Sequence, residues 1–117
     1  MNAKAVAALT LLLLTGCATT PPELVQEAKA QTYTSKQEPE FAAGCMARNL
    51  ENKYGFVVIV RRLDKAGAYQ VIVRSGPGFL LAYSVVEPQD SGSKATLWVS
   101  THIRDHEQLA ATTAKGC

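Results

Sequence analysis

The sequence predicts an α+β domain in which two helices cover one face of a four-stranded antiparallel sheet. Three observations carry this prediction: an amphipathic segment ends at a glycine, four runs rich in Val and Ile follow it, and an alanine-rich segment closes the chain. The resulting order is helix, four strands, helix. The predicted domain spans residues 38–117, which is enough chain for one small hydrophobic core.

The first predicted helix covers residues 38–54. Pro39 stands in the first turn, where a missing N–H costs nothing, and Glu38 and Glu40 place negative charge at the positive end of the helix dipole. Gly55 tolerates the left-handed conformation that ends many helices. Apolar side chains recur at spacings of one, three and four and give the helix one apolar face: Phe41, Ala42, Cys45, Met46, Leu50 and Tyr54.

Four strands are predicted next, followed by a last helix. Short polar or glycine-containing segments separate the strands and favour an antiparallel meander. The strands are expected at residues 56–63, 68–74, 79–87 and 94–101, and the helix at residues 104–115 before Gly116.

The first two strands predict the two faces of the sheet. If Leu63 stands opposite Ala68, one face should pack under the helices, and it carries Phe56, Val58, Val60, Tyr69, Val71 and Val73. Two helices can cover only one face, so one hypothesis is that the other is an open docking site for a protein. Its residues are Val57, Ile59, Arg61, Ile72 and Arg74, with Gln70 among them. The alternatives are that the sheet curls or that the preceding segment covers this face.

The N-terminus carries the pattern of an export signal. Lys4 supplies a positive charge, and residues 5–14 form an apolar run that is shorter than the roughly 20 residues a membrane span needs. The run ends in Leu14-Thr15-Gly16-Cys17, which resembles the lipobox of bacterial lipoproteins. The resemblance implies cleavage before Cys17 and attachment of a lipid to its thiol; the alternative is an ordinary secretory signal with a chance cysteine. Because Ala18 rather than Asp follows the cysteine, the resemblance also implies sorting to the outer membrane, with the domain on its periplasmic side.

The segment between the lipidated cysteine and the domain is polar. Residues 18–37 contain mainly Thr, Pro, Gln, Glu and Lys, and only Leu24 and Val25 could give a short helix an apolar side. We therefore expect residues 17–37 to be the lipid attachment site and a mostly disordered tether. Twenty extended residues reach about 70 Å at most.

Two further cysteines are expected to pair. Cys45 lies on the apolar side of the first helix, Cys117 is the last residue of the sequence, and an exported domain meets oxidising conditions. The predicted Cys45–Cys117 disulfide would fix the last residues to the first helix. The alternative is a buried free Cys45 with Cys117 pairing between molecules.

The residues point to a binding protein rather than an enzyme. The formal net charge of +2 provides no strongly basic surface for nucleic acid. No motif for a nucleophile, a phosphate loop or a cofactor is present in the sequence. The segment from Cys45 to Glu51, followed by a hairpin, resembles small proteobacterial lipoproteins, which implies no activity. We therefore expect no cofactor, and a partner that is an envelope protein or a second copy of the chain. The alternative is a metal-binding or small-ligand-binding envelope protein that uses His102 and His106, four residues apart, with Asp105 between them.

Overall fold

The computed structural model describes residues 20–117, so the predicted signal peptide and Cys17 lie outside the described residues. Within residues 20–117 there are three helices and five strands. In chain order they are α1 (Pro21–Glu27), β1 (Gln31–Ser35), α2 (Pro39–Tyr54), β2 (Val57–Arg62), β3 (Tyr69–Arg74), β4 (Leu80–Gln89), β5 (Gly92–Val99) and α3 (His106–Ala114). The α+β class is confirmed, but the sheet has five strands where four were predicted.

All five strands form one antiparallel sheet in the order β1-β5-β4-β3-β2. The predicted meander of four strands is therefore confirmed as β2 to β5. The predicted pairing of the first hairpin is also confirmed: Val57 stands opposite Arg74, and the Leu63 N–H donates to the Ala68 carbonyl at 2.9 Å. Alternation along the strands then gives the sheet an inner face, which α2 and α3 cover, and an outer face.

The inner face holds the main core. α2 begins at Pro39, one residue after the predicted start, and ends at Tyr54 as predicted; the following Gly55 has a φ of 67°, the left-handed value expected there. Its apolar side and that of α3 pack on side chains from β3, β4 and β5. The largest buried members of this cluster are Met46, Leu50, Val71, Val73, Val86, Leu97, Val99 and Leu109. Burial of apolar area here is the main source of stability for the domain.

The prediction of a disordered tether is wrong over residues 21–35. Residues 21–27 form α1, and residues 31–35 form β1, which pairs with β5 from Gln31 opposite Leu97 to Ser35 opposite Ser93. The prediction that all helices share one sheet face is wrong for the same reason, because α1 packs on the outer face through Leu24. The folded domain thus begins near Thr20 rather than at residue 38.

The Cys45–Cys117 disulfide is confirmed. It joins α2 to the residues after α3, with the two Cα atoms 5.7 Å apart. Two side chains hold the same segment without a covalent bond. Asn49 Nδ2 donates to the carbonyl oxygens of Thr113 at 3.1 Å and Lys115 at 2.8 Å, and Ser35 Oγ donates to the main-chain oxygen of Cys117. β1, α2 and the last residues are therefore tied together at one side of the domain.

Gly92 is expected to be essential for the pairing of β1 with β5. It opens β5 with φ at 144°, and a Cβ there would overlap the carbonyl oxygen of Ser35 at the end of β1. We expect Gly92→Ala to lower the free energy of unfolding by about 2 kcal/mol, the scale of a residue forced into a disfavoured backbone region. Chemical denaturation measures the change. Gly76→Ala is the matched control, because Gly76 has an ordinary φ and open space at its Cβ position. Equal stabilities of the two variants would contradict the prediction.

Candidate interaction surface

The outer face carries one row of apolar and aromatic side chains that crosses four strands. Ile59, Ile72, Tyr83 and Trp98 stand directly beside one another in the strand registers. The rings of Tyr83 and Trp98 are stacked with their centroids 5.9 Å apart. The Tyr83 hydroxyl donates to Gln70 Oε1 at 3.1 Å, and burial raises the pKa of that phenol. The row is thus a packed apolar surface with its one hydroxyl satisfied.

α1 covers this row. Leu24 and Ala28, one helical turn apart, pack with Ile72 and Leu80, and Leu24 is only 1% exposed. The prediction of an open face is therefore wrong at its centre, where Ile72 is 9% exposed and Ile59 packs against the same cluster. The structure shows instead the alternative in which the preceding segment covers the face. Packing Leu24 on this row is favourable because it removes from water an apolar area that the two helices on the inner face cannot reach.

Three of the five predicted surface residues lie outside the cluster that α1 covers. Val57 is 51% exposed, Arg61 is exposed, and Arg74 is half-buried with Nη1 donating to the Gly78 carbonyl at 3.2 Å. Val57 and Arg61 lie on β2, and Arg74 lies opposite Val57 on β3. The accessible part of the predicted surface is therefore concentrated along β2.

β2 is an edge strand of the sheet, since β3 is its only partner in the order β1-β5-β4-β3-β2. The Leu63 N–H donates to the Ala68 carbonyl, and the Ser75 N–H donates to the carbonyl of Phe79, the residue before β4. Along a strand of an antiparallel ladder, the backbone groups of successive residues point alternately toward and away from the neighbouring strand. Because Leu63 points toward β3, the backbone groups of Val57, Ile59 and Arg61 also point toward β3. The N–H and C=O groups of Val58, Val60 and Arg62 consequently point away from the sheet.

The side chains on this edge are accessible on both faces. Val57 is exposed on the outer face, Val60 is 38% exposed on the inner face, and Arg61 and Arg62 are both exposed at the end of the strand. Two features of the sequence indicate that β2 is an edge strand, although the sequence analysis considered only the faces of the sheet. In a meander the first strand has only one neighbour, and adjacent arginines are typical of an edge strand.

The charges at this edge are uncompensated. Within residues 20–117 the one ion pair joins Lys65 Nζ to Glu87 Oε2 at 2.6 Å, and the hydrogen bond from Lys65 lowers the pKa of Glu87. No carboxylate in that part of the chain lies within ion-pair distance of Arg61, Arg62 or Arg74. β2 therefore presents free backbone hydrogen-bonding groups, exposed valines and positive charge together.

The two histidines do not share a helical face. His102 is exposed in the turn after β5, and His106 is the first residue of α3, where its Nδ1 lies 3.2 Å from the Ile103 carbonyl oxygen. Asp105 stands at the N-cap of α3. In the stretch from Thr20 to Cys117, no three His, Cys, Asp or Glu side chains are grouped closely enough to hold a metal ion. The geometry thus gives the metal-binding alternative no support.

No helix in the described part of the chain has the length and apolar character that crossing a membrane requires. Comparison with protein-family models, with curated proteins and with solved structures found no match to this chain.

Proposed function

We propose that the chain is a lipoprotein, held by lipid on Cys17 at the periplasmic side of the bacterial outer membrane, whose domain binds a protein partner and catalyses no reaction. The anchor rests on the sequence alone: Lys4, the apolar run at residues 5–14, and the lipobox Leu14-Thr15-Gly16-Cys17. Ala18, in place of Asp, supports sorting to the outer membrane. A single lipidated residue with several acyl chains gives stable membrane residence, because each buried CH₂ contributes about 0.8 kcal/mol.

The exposed edge of β2 is the observation that carries the binding proposal. Three residues offer both backbone groups to a new strand, which is how sheet edges recognise extended peptides. Alternate side chains of an added strand would meet Val57 on the outer face and Val60 on the inner face. An accessible apolar sheet edge pairs readily with a strand of another chain. Such an edge is therefore suited to bind a partner that supplies an extended segment.

The charge at the edge favours an acidic partner over a second copy of the chain. Arg61 and Arg62 are exposed and lack a carboxylate partner within the described residues. An extended segment with Asp or Glu near these side chains would gain charge-assisted hydrogen bonds. A second copy would bring the same two arginines and no new carboxylate on β2.

The test removes one backbone donor from the edge. The Val60 N–H points away from β3, so Val60→Pro deletes a hydrogen bond to an added strand while leaving the β2–β3 ladder intact. In-cell crosslinking and affinity capture should recover one envelope protein with the wild type, and about tenfold less of it with Val60→Pro, since one lost hydrogen bond and a steric clash cost at least 1.4 kcal/mol.

Val60→Thr is the matched control, because it keeps the N–H and the β-branched shape, and it should lose far less of the partner than Val60→Pro does. The emission of Trp98 and the denaturation midpoint check that both variants fold. A folded Val60→Pro variant that captures the partner as well as the wild type would refute pairing through β2. Recovery of the chain alone would refute the acidic partner and indicate self-association.

A further inference from the structure

The link between Cys17 and the folded domain is short. Thr20 is the N-cap of α1, and its carbonyl accepts the Leu24 N–H at 3.0 Å. Only three peptide units join Cys17 to Thr20, and they span about 10 Å at most. The reach of about 70 Å that a disordered tether would give is therefore lost. A lipid on Cys17 would hold the start of α1 close to the membrane surface.

The region around α1 has the side chains of a membrane-contacting surface. Val57, Arg74 and Leu80 stand side by side at one end of the sheet, and Leu80 packs in the same cluster as Leu24 of α1. Phe79, which directly precedes Leu80, is 66% exposed. Aromatic rings favour the interface of a bilayer, and arginine can place its apolar stem there while its guanidinium meets phosphate oxygens.

The exposed side chains of α1 and of the neighbouring outer face also suit contact with a membrane. Val25 is 37% exposed although it is adjacent to the fully buried Leu24. Arg61 adds an exposed positive charge on the same outer face as Val57. Basic side chains near a membrane surface are attracted by anionic lipids.

We propose that the outer face of the sheet, with α1 and the turn before Phe79, lies against the phospholipid surface that holds the acyl chains of Cys17. α2 and α3 then face away from that membrane. This orientation rests on the lipid anchor of the proposed function, and it places Val57 and Arg61 of β2 beside the membrane, so that a strand added to the edge of β2 would bind next to the lipid surface. The recognised chemistry is a phosphate-bearing surface with an apolar layer beneath it.

Two exposed phenylalanines allow a matched test, because one is adjacent to Leu80 of the outer-face cluster and the other lies in the helix layer. Phe79 is 66% exposed at the end of the sheet, and Phe41 is 61% exposed on α2. Each is replaced by Trp in a Trp98→Phe background, so that each protein has one tryptophan. The mature lipidated proteins are reconstituted in vesicles of phosphatidylethanolamine and phosphatidylglycerol with a nitroxide on a fraction of the headgroups.

We expect the nitroxide to quench the tryptophan of Phe79→Trp several-fold more strongly than that of Phe41→Trp. The helix layer adds about 10 Å of distance, and quenching falls steeply with distance. Equal quenching of the two, or stronger quenching of Phe41→Trp, would overturn the orientation.

Flotation of the wild type with the vesicles, compared with Cys17→Ser, separates the two proposals. If the wild type carries no lipid by mass spectrometry and does not float, the anchor fails and the orientation fails with it. If the wild type floats while the two tryptophans are quenched alike, the anchor stands and only the orientation is refuted.

Discussion

Removal of the Cys45–Cys117 disulfide is expected to lower the free energy of unfolding by about 4 kcal/mol. The bond joins residues 72 positions apart, so it restricts a large loop of the unfolded chain, and loop-closure entropy gives this magnitude. The loss is somewhat smaller than about 5 kcal/mol, the lower end of the net stability of folded domains. In the folded state the Asn49 hydrogen bonds to Thr113 and Lys115 still hold the end of the chain. A variant without the bond should therefore retain the fold in the absence of denaturant and unfold much earlier.

Urea denaturation of the wild type with and without reductant measures this effect. The double variant Cys45→Ala, Cys117→Ala should unfold near the midpoint of the reduced wild type and should not respond to reductant. Asn49→Ala serves as a comparison, because it removes only non-covalent contacts to the same segment and should cost about 1–2 kcal/mol. An oxidised and a reduced wild type with the same midpoint would refute the role assigned to the disulfide.

The sequence predicted the elements whose pattern is repeated many times. α2 has four turns of apolar periodicity between a first-turn proline and Gly55, and its bounds agree with the prediction to within a residue. The hairpin of β2 and β3 has six consecutive pairs, and a shift by one residue would turn all its apolar side chains to the wrong face. Strong, redundant patterns of this kind leave few alternatives.

α1 and β1 could not be predicted in the same way. α1 has seven residues and a single fully buried side chain, Leu24, so its stability comes from the outer face of a sheet that is formed by later residues. β1 consists of Gln, Thr, Tyr, Thr and Ser, and its strand conformation depends on pairing with β5. Local propensity is weak in both segments, and long-range contacts decide their structure.

The sequence predicted which residues lie on the outer face but not how much of that face is covered. Alternation along β2 and β3 correctly assigned Val57, Ile59, Arg61, Ile72 and Arg74 to the outer face. Whether that face is open depends on where the residues before α2 pack. Their position is determined mainly by Leu24, which is buried against the outer face. The free edge of β2 follows from the meander order instead, and it survives the addition of β1 because β1 joins the sheet at the opposite side.

The role of Leu24 gives the second large expected effect. Leu24→Asp should detach α1 from the sheet, because an ionised carboxylate cannot be buried among Ile72, Leu80 and Trp98 without a partner. We expect the free energy of unfolding to fall by about 3 kcal/mol, the scale of losing a buried leucine. Trp98 is the single tryptophan of the chain and packs against the cluster that α1 covers, so its emission should shift to longer wavelength.

Val25→Asp is the matched control for this experiment. It places the same charge one residue later on α1, at a side chain that is already 37% exposed, and should leave the Trp98 emission and the unfolding midpoint nearly unchanged. An unshifted Trp98 emission in Leu24→Asp would mean that α1 does not hold the outer face closed. A shift confined to Leu24→Asp would show that this one side chain holds α1 over the apolar row. In that case the same substitution should lengthen the reach of the domain from a membrane and reduce the quenching at residue 79, which connects the stability of α1 directly to the orientation of the protein.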